Sequence, residues 1–399
     1  MKPLQHILIF TKEYHHPRIS ATGGTGVFYR NLAEKLVERG YQVSVFGSHK
    51  EPVSFVENGI RFRFVKDYFK KYPFTELLRS ISGKHSAFTR FHNKCYKDEK
   101  KYLAHQLKNF LHEDNLAPDI IETHDWDGIS LFLDDLKIPY VVRFHGSWTV
   151  LQKFFGYRVG HGRTSCEQAA LPKSKNNIVI SEFSRKINEE LFQISDARLI
   201  YNGINTVFWA PQLNEHILPG SVFYLGEVKE KKGAFTAVKA FITLKQLCPQ
   251  ATLHFIGNAG NLENPLREIA GPAFAKDLIF YGRRHATDIK QLISRAEILF
   301  FPSQGENFSL SLLEAMAMGK AVICSEIPAF EEVIVDGKNG MLATTADDFS
   351  VKAALLLSRP DLRTEMANNA RKTVTRRFNI DHMVDETVHY YQEIYERPQ

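Results

Sequence analysis

Residues 301–340 read FPSQGENFSLSLLEAMAMGKAVICSEIPAFEEVIVDGKNG. An apolar strand ends at Phe301, a polar loop covers 302–307, and residues 309–318 carry helical apolar spacing. Glu306 falls in the loop and Glu314 on the helix, eight residues later. That spacing sets one carboxylate at the helix mouth and the other about a turn and a half inside. The N–H groups of Phe308, Ser309 and Leu310 would lack intrahelical acceptors, so the helix start is an anion site suited to a phosphate. A carboxylate beside it can accept hydrogen bonds from sugar hydroxyls. A plainer reading also stands: an acidic residue complementing the helix dipole, and an ordinary helix glutamate.

Strand, loop and helix repeat outward from there. Residues 6–11 (HILIFT) read as a buried strand, followed by Gly23-Gly24-Thr25-Gly26. Residues 27–39 are helical, with Phe28, Leu32 and Leu36 on one face and Gly40 as the stop. Further strands are expected at 42–46, 119–123, 140–144, 177–180 and 198–201. A turn-rich break follows at Asn202-Gly203 and 211–220. The alternation restarts with strands at 221–225, 252–256, 278–281, 298–301 and 321–324. Such alternation predicts two α/β domains with parallel sheets, 1–205 and 217–378, their ligands held at the carboxyl ends of the strands.

Composition narrows the function classes. The 399 residues are 44% hydrophobic and 24% charged, ordinary globular values that exclude bulk disorder. No apolar run approaches the ~20 residues of a membrane span. The N-terminus has no long apolar core or small-residue cleavage site, so no signal peptide is expected. Cys95, Cys166, Cys248 and Cys324 lie far apart, which fits reduced thiols in a cytoplasmic protein. The net charge of +6 is unevenly spread: residues 61–110 hold 13 Lys and Arg against 4 Asp and Glu, with eleven aromatics. That segment reads either as a solvated helical face over core aromatics, or as an anionic-acceptor or membrane-surface patch. Nucleic acid is not expected as a partner, because no binding-module motif is present.

The stretch 301–340 resembles the signature of the retaining GT-B glycosyltransferases of family 4. The matching residues are Pro302-Ser303, the Glu306/Glu314 pair, residues 313–317 (LEAMA), Gly319, and Asp336-Gly337-Lys338-Asn339-Gly340. The resemblance extends over nearly the whole chain. Gly23, Gly24 and Thr25 are similar to the family's glycine loop near the donor phosphates, and residues 142–147 (VRFHGS) to the strand that brings His145 near the transferred sugar. Ser181 and Asn202-Gly203-Ile204-Asn205 match the strand end and hinge that lead to the second domain. Residues 280–282 (FYG), with Arg283 next, match a strand end near the nucleotide base. His124-Asp125-Trp126 resembles the acceptor-side loop. Asp125-Trp126-Asp127 is therefore not read as a DxD metal site, and no metal or cofactor is expected.

By this resemblance the fold is α/β GT-B, two doubly wound Rossmann-like domains facing across a cleft, with helix 380–399 returning to the first. The reaction implied is sugar transfer from a UDP- or GDP-type nucleotide diphosphate sugar to a hydroxyl of a glycan, lipid-linked or small-molecule acceptor, with retention. Glu306, His145 and Lys232 would be catalytic. Glu306, Asn307, Phe308, Ser309 and Leu310 would surround the donor, and Glu314 its ribose. One position departs from the pattern: where the family has Arg before a Lys-Gly pair, Glu227 precedes Lys232-Gly233. Glu227 either points away from the diphosphate or alters donor binding. The alternative function it motivates is a non-catalytic sugar-nucleotide or glycan-binding protein on the same fold. A Rossmann oxidoreductase is disfavoured, since no GxGxxG follows the first strand.

Overall fold

A computed structural model of the chain describes residues 3–20, 23–83, 86–212 and 216–397. Two compact units result: Met1–Tyr201 with Met383–Gln399, and Asn202–His382. The division between the units falls at 201/202 and 382/383. The reason is local: Ile204 donates its N–H to the Phe378 carbonyl (3.0 Å) and accepts from the Ile380 N–H (2.9 Å), which fastens residues 202–205 to the second unit.

The first unit runs β1 (His6–Phe10), α1 (Gly24–Glu38), β2 (Gln42–His49), β3 (Val53–Glu57), β4 (Ile60–Lys66), α2 (Pro73–Ser82), α3 (Thr89–Glu113), β5 (Ile120–His124) and β6 (Tyr140–Phe144). It continues with α4 (Trp148–Phe155), α5 (His161–Ala170), β7 (Asn177–Val179), α6 (Glu182–Phe192) and β8 (Arg198–Leu199). The sheet order is β8-β7-β6-β5-β1-β2-β4-β3, parallel except for β3 against β4. Every residue of β1, β5 and β6 is buried, as strands covered on both faces require. The chain builds β1, β2 and β4 to one side and then returns to lay β5 on the other side of β1, a topological switch point.

The β3–β4 hairpin corrects the sequence reading, which had no strand there. Asn58-Gly59, with φ of 51° and 76°, supplies the positive φ of a two-residue turn. Ile60, Phe62 and Phe64 turn inward, while Arg61 and Arg63 each pair with Asp114 at 2.8 Å. Part of the basic segment is thus a strand paired on both sides, one in from the sheet edge, not helical face.

The second unit runs β9 (Ser221–Leu225), α7 (Ala234–Leu247), β10 (Thr252–Ile256), α8 (Glu263–Phe274), β11 (Leu278–Gly282), α9 (Ala286–Ser294), β12 (Ile298–Phe301) and α10 (Leu310–Ala317). Then come β13 (Ala321–Ser325), β14 (Met341–Ala343), α11 (Ala346–Ser358), α12 (Pro360–Arg377) and α13 (Ile380–Tyr395). Its parallel sheet has the order β11-β10-β9-β12-β13-β14, with the switch point between β9 and β12. Its core gathers Phe241, Phe255, Phe300 and Phe349 with aliphatic side chains from both faces. From Met383 onward α13 belongs to the first unit. There Thr387 accepts from Arg143 at 3.0 Å, and the Tyr391 hydroxyl donates to Glu122. Arg143 and Glu122 form a fully buried ion pair at 2.8 Å, so the helix closes over charges that would be costly to leave unpaired. Among the described residues, no helix is long and apolar enough to cross a membrane.

Candidate functional site

The switch point of the second unit collects the most chemistry. β9 is followed by the loop 226–233 and β12 by the loop 302–309, and the two loops are laced together. Gln304 donates its N–H to the Lys231 carbonyl at 2.9 Å. Gly233 has φ +76°, and a Cβ there would lie 1.8 Å from the Pro302 carbonyl oxygen, so only glycine permits this approach. The buried Tyr224 hydroxyl lies 2.8 Å from the Glu227 carbonyl and 3.0 Å from the Lys232 carbonyl, spanning the loop from within. Burial pushes this phenol's pKa upward, so it stays a donor.

This packing brings Lys232 to Glu306. The ammonium meets both carboxylate oxygens, at 2.6 and 2.7 Å, and the Ser303 hydroxyl donates to one of them at 2.8 Å. The Glu306 side chain is only 10% exposed and that of Lys232 is 40% exposed, so the pair opens to solvent on the lysine side. Helix α10 starts at Leu310, one residue later than expected, because Ser309 is its N-cap and accepts from the Leu312 N–H at 3.3 Å. Leu310 and Ser311 open the helix, where N–H groups have no intrahelical acceptor. Phe308 is buried against Phe378, with ring centroids 5.7 Å apart. Asn307 is half-buried in the loop between them. Glu314, half-buried on α10, has its pKa pushed up to about 8 by burial.

Glu227 is 63% exposed and pairs with Lys229 at 2.5 Å. Of the two options the sequence left for it, the structure has this carboxylate turned to solvent. Arg283 is exposed beyond the end of β11, two strands from β9. At the usual strand spacing the end of β11 lies about 10 Å to the side of the end of β9.

The first unit has its own constellation at the β1/β5 switch point. His124 ends β5 and is 1% exposed; burial pushes it down to about 3, so its imidazole is neutral. Asp125 is fully buried, and its carboxylate accepts from the His145 N–H at 3.1 Å and the Gly146 N–H at 2.9 Å. Burial lifts it to about 7, against the pull of those N–H groups. Asp125 therefore shapes the turn that carries His145. That ring sits against Phe28 and Tyr29, with centroids 4.7 and 5.7 Å away. Burial first, then the Arg143 cation, hold His145 well below its ordinary pKa. Trp126 is half-buried with its ring edge-on to Trp148. Asp127 lies 3.3 Å from Lys12 and 3.6 Å from Arg163. Among the described residues, no group of three or more His, Cys, Asp or Glu side chains could hold a metal ion. Gly23 caps α1, and Thr25 in its first turn is buried. The Glu13 carboxylate lies 2.5 Å from where a Gly23 Cβ would be, so the glycine loop is packed against a carboxylate.

Sequence reasoning missed several residues that build these sites. Tyr224 braces the loop that carries Lys232, and Ser303, which the sequence named only as part of the Pro302-Ser303 match, donates to Glu306. Lys12 bridges Glu99 (2.6 Å) and Asp127 beyond the end of β1. Buried Glu167 accepts the N–H groups of Asp127, Trp148 and Thr149 at 2.8–3.0 Å. An isolated Tyr, Ser or Glu carries no local pattern; the partners of Lys12 and Glu167 lie 18 to 115 residues away, whereas Tyr224 and Ser303 act within eight residues of themselves, on loops that meet only in the fold.

Comparison with known proteins agrees with this geometry. Residues 22–208 match the description Glycosyltransferase Family 4, and residues 212–373 match Glycosyl transferases group 1. The phosphatidyl-myo-inositol mannosyltransferase of Mycolicibacterium smegmatis is 30% identical over 272 residues, 65% of this chain and 67% of that protein. The sucrose-phosphate synthase of Thermosynechococcus elongatus superposes with a TM-score of 0.75 at 18% identity, covering 98% of this chain and 99% of that one. Anabaena HepE, solved in complex with UDP-glucose, superposes with a TM-score of 0.67 at 15% identity, covering 96% and 99%. With two doubly wound parallel-sheet units and a Lys–Glu pair at the second switch point, the chain belongs to the group 1, family 4 glycosyltransferases of GT-B fold.

Proposed function

We propose that the protein transfers a sugar from a UDP- or GDP-type nucleotide diphosphate sugar to a hydroxyl of a glycan, lipid-linked or small-molecule acceptor, with retention of the anomeric configuration. The observation that carries the reading is the Lys232–Glu306 pair beside the N-terminus of α10. An ammonium and a helix start favour a diphosphate, and a mostly buried carboxylate favours sugar hydroxyls. A fold shared with HepE, which binds UDP-glucose, supports a donor of that class.

In this reading Lys232 and the first N–H groups of α10 neutralise the leaving diphosphate, and Glu306 orients the donor sugar. Glu314 accepts from the ribose hydroxyls. The neutral His145 lines the acceptor side, held by Asp125 through the backbone of the 145–146 turn. No protein base is required, because the leaving phosphate itself takes the acceptor's proton on the face it leaves. The non-catalytic alternative rested on Glu227, and that carboxylate is turned to solvent and paired with Lys229.

The test is incubation with a panel of UDP- and GDP-sugars, followed by NMR of the product's anomeric proton. Transfer with the donor's anomeric configuration kept is the expected result. An inverted product would overturn retention, and neither turnover nor nucleotide binding with any donor would overturn the donor assignment.

A further inference from the structure

Two helices of the first unit present a surface that the sugar-transfer chemistry does not use. On α2, Phe74, Leu77 and Ile81 recur at helical spacing, yet they are 71%, 55% and 50% exposed. The opposite side of α2 is the packed one. Arg79 bonds to the Tyr96 hydroxyl at 2.8 Å and to Glu76, and the Ser82 hydroxyl lies 3.3 Å from the His92 ring. An amphipathic helix normally buries its apolar face against its own protein; here the apolar face is outward. Phe88 (53% exposed) and Phe91 (40% exposed) continue the apolar surface at the start of α3.

Cations adjoin it. Along α3 the exposed side carries Arg90, Lys94, Lys97, Lys101 and Lys108, spaced 4, 3, 4 and 7 residues apart, so they fall on one stripe about 27 Å long. Lys94 pairs with Asp98. Among the described residues, Arg90, Lys97, Lys101 and Lys108 have no ion pair. Lys70 and Lys71, just before α2, are exposed as well. Among the described residues, the other cations of the basic segment are engaged elsewhere: Arg61 and Arg63 with Asp114, Lys66 with Glu51, Lys100 buried against Glu99, and Arg79 inside the α2–α3 contact.

We propose that this surface docks the protein on an anionic lipid bilayer. Phe74, Leu77, Ile81 and Phe88 enter the boundary between headgroups and acyl chains, and the α3 stripe with Lys70 and Lys71 meets headgroup phosphates. The charge selects an anionic surface. The large exposed apolar side chains select lipid over a nucleic acid, whose backbone offers them nothing to enter. The surface is not remote from the first unit's switch point: Phe91 is eight residues, about 12 Å of helix, from Glu99, which holds Lys12 beyond the end of β1. A lipid-anchored acceptor would therefore meet the protein on the side where it docks.

The proposal goes beyond the sugar-transfer reading and is read without turnover. The full-length protein is sedimented with vesicles of phosphatidylcholine alone, or with about 30 mol% phosphatidylglycerol added. Binding is expected only to the anionic vesicles. Each basic residue near such a surface contributes about a fivefold factor, so a Lys97→Glu, Lys101→Glu, Lys108→Glu variant should bind at least 30-fold more weakly. A Phe74→Ser, Leu77→Ser, Ile81→Ser variant should lose at least tenfold. Both should keep the wild-type thermal unfolding, because every replaced side chain is exposed. Equal binding to neutral and anionic vesicles, or wild-type binding by either variant, would overturn the proposal. So would a dimer abolished by the serine variant, or duplex DNA binding that only the charge variant loses.

Discussion

In the site as it stands, Lys232 is held by Glu306, so a nucleoside diphosphate has to draw the ammonium away from a carboxylate. Glu306→Gln keeps the side chain's shape and the Ser303 contact but removes that competing charge. At the 2.6 Å contact, two unit charges interact by about 1.6 kcal/mol in bulk water and about four times that at an intermediate dielectric. Because the Lys232 side chain is 40% exposed, the water limit governs, and the net worth of the pair is about 1 kcal/mol. Loss of this competition should tighten UDP or GDP binding by about fivefold. Turnover should move the other way, with kcat falling tenfold or more, on the order of 1.4 kcal/mol, because the donor sugar loses its anionic acceptor. Titration calorimetry with the nucleotide and a transfer assay on the same preparation separate the two effects. Urea denaturation confirms that the variant is folded. Nucleotide affinity that falls in step with kcat would refute the competition, and unchanged turnover would remove Glu306 from the chemistry.

The exposed Glu227 paired with Lys229 gives a contrasting expectation: Glu227→Arg should change nucleotide affinity by less than about twofold, and a tenfold gain in calorimetry would mean that this side chain faces the diphosphate after all. Glu314 predicts a pH effect on stability. Its folded pKa, about 8, is raised above the unfolded carboxylate value, so its contribution is complete below that lower value and is lost as pH rises through about 8. Urea midpoints measured from mildly acidic to mildly alkaline pH should fall less steeply for Glu314→Gln than for wild type, and identical slopes would show that Glu314 does not titrate there.

Much of the architecture was legible in the chain because its signals are local. Mainly apolar runs at 140–144, 221–225, 252–256 and 298–301 coincide with strands, because strands buried on both faces are largely apolar and admit a charge such as Arg143 only when it is paired. The β3–β4 hairpin was not read, although Asn58-Gly59 between alternating residues is a local turn signal. There the cations Arg61 and Arg63 alternate with the inward Ile60, Phe62 and Phe64, so the apolar period is diluted by charge. The helix mouth at 302–314 was equally local, since strand, polar loop and apolar helix follow one another without a break.

The sequence by itself determined the two parallel-sheet units and the positions of Glu306 and Glu314, because periodicity and turn chemistry act over a few residues. Only the tertiary structure decided which charges meet. Lys232 and Glu306 are 74 residues apart and touch because two strands that flank a switch point end side by side. Glu227, five residues before Lys232, turns to solvent instead. The same holds for the basic segment, whose charge was countable at once. Which cations are consumed by Asp114, Glu99 and Glu76, and which line one face of α3 beside an uncovered apolar helix, depends on packing. Burial and pairing are properties of neighbours in space, which a composition does not contain.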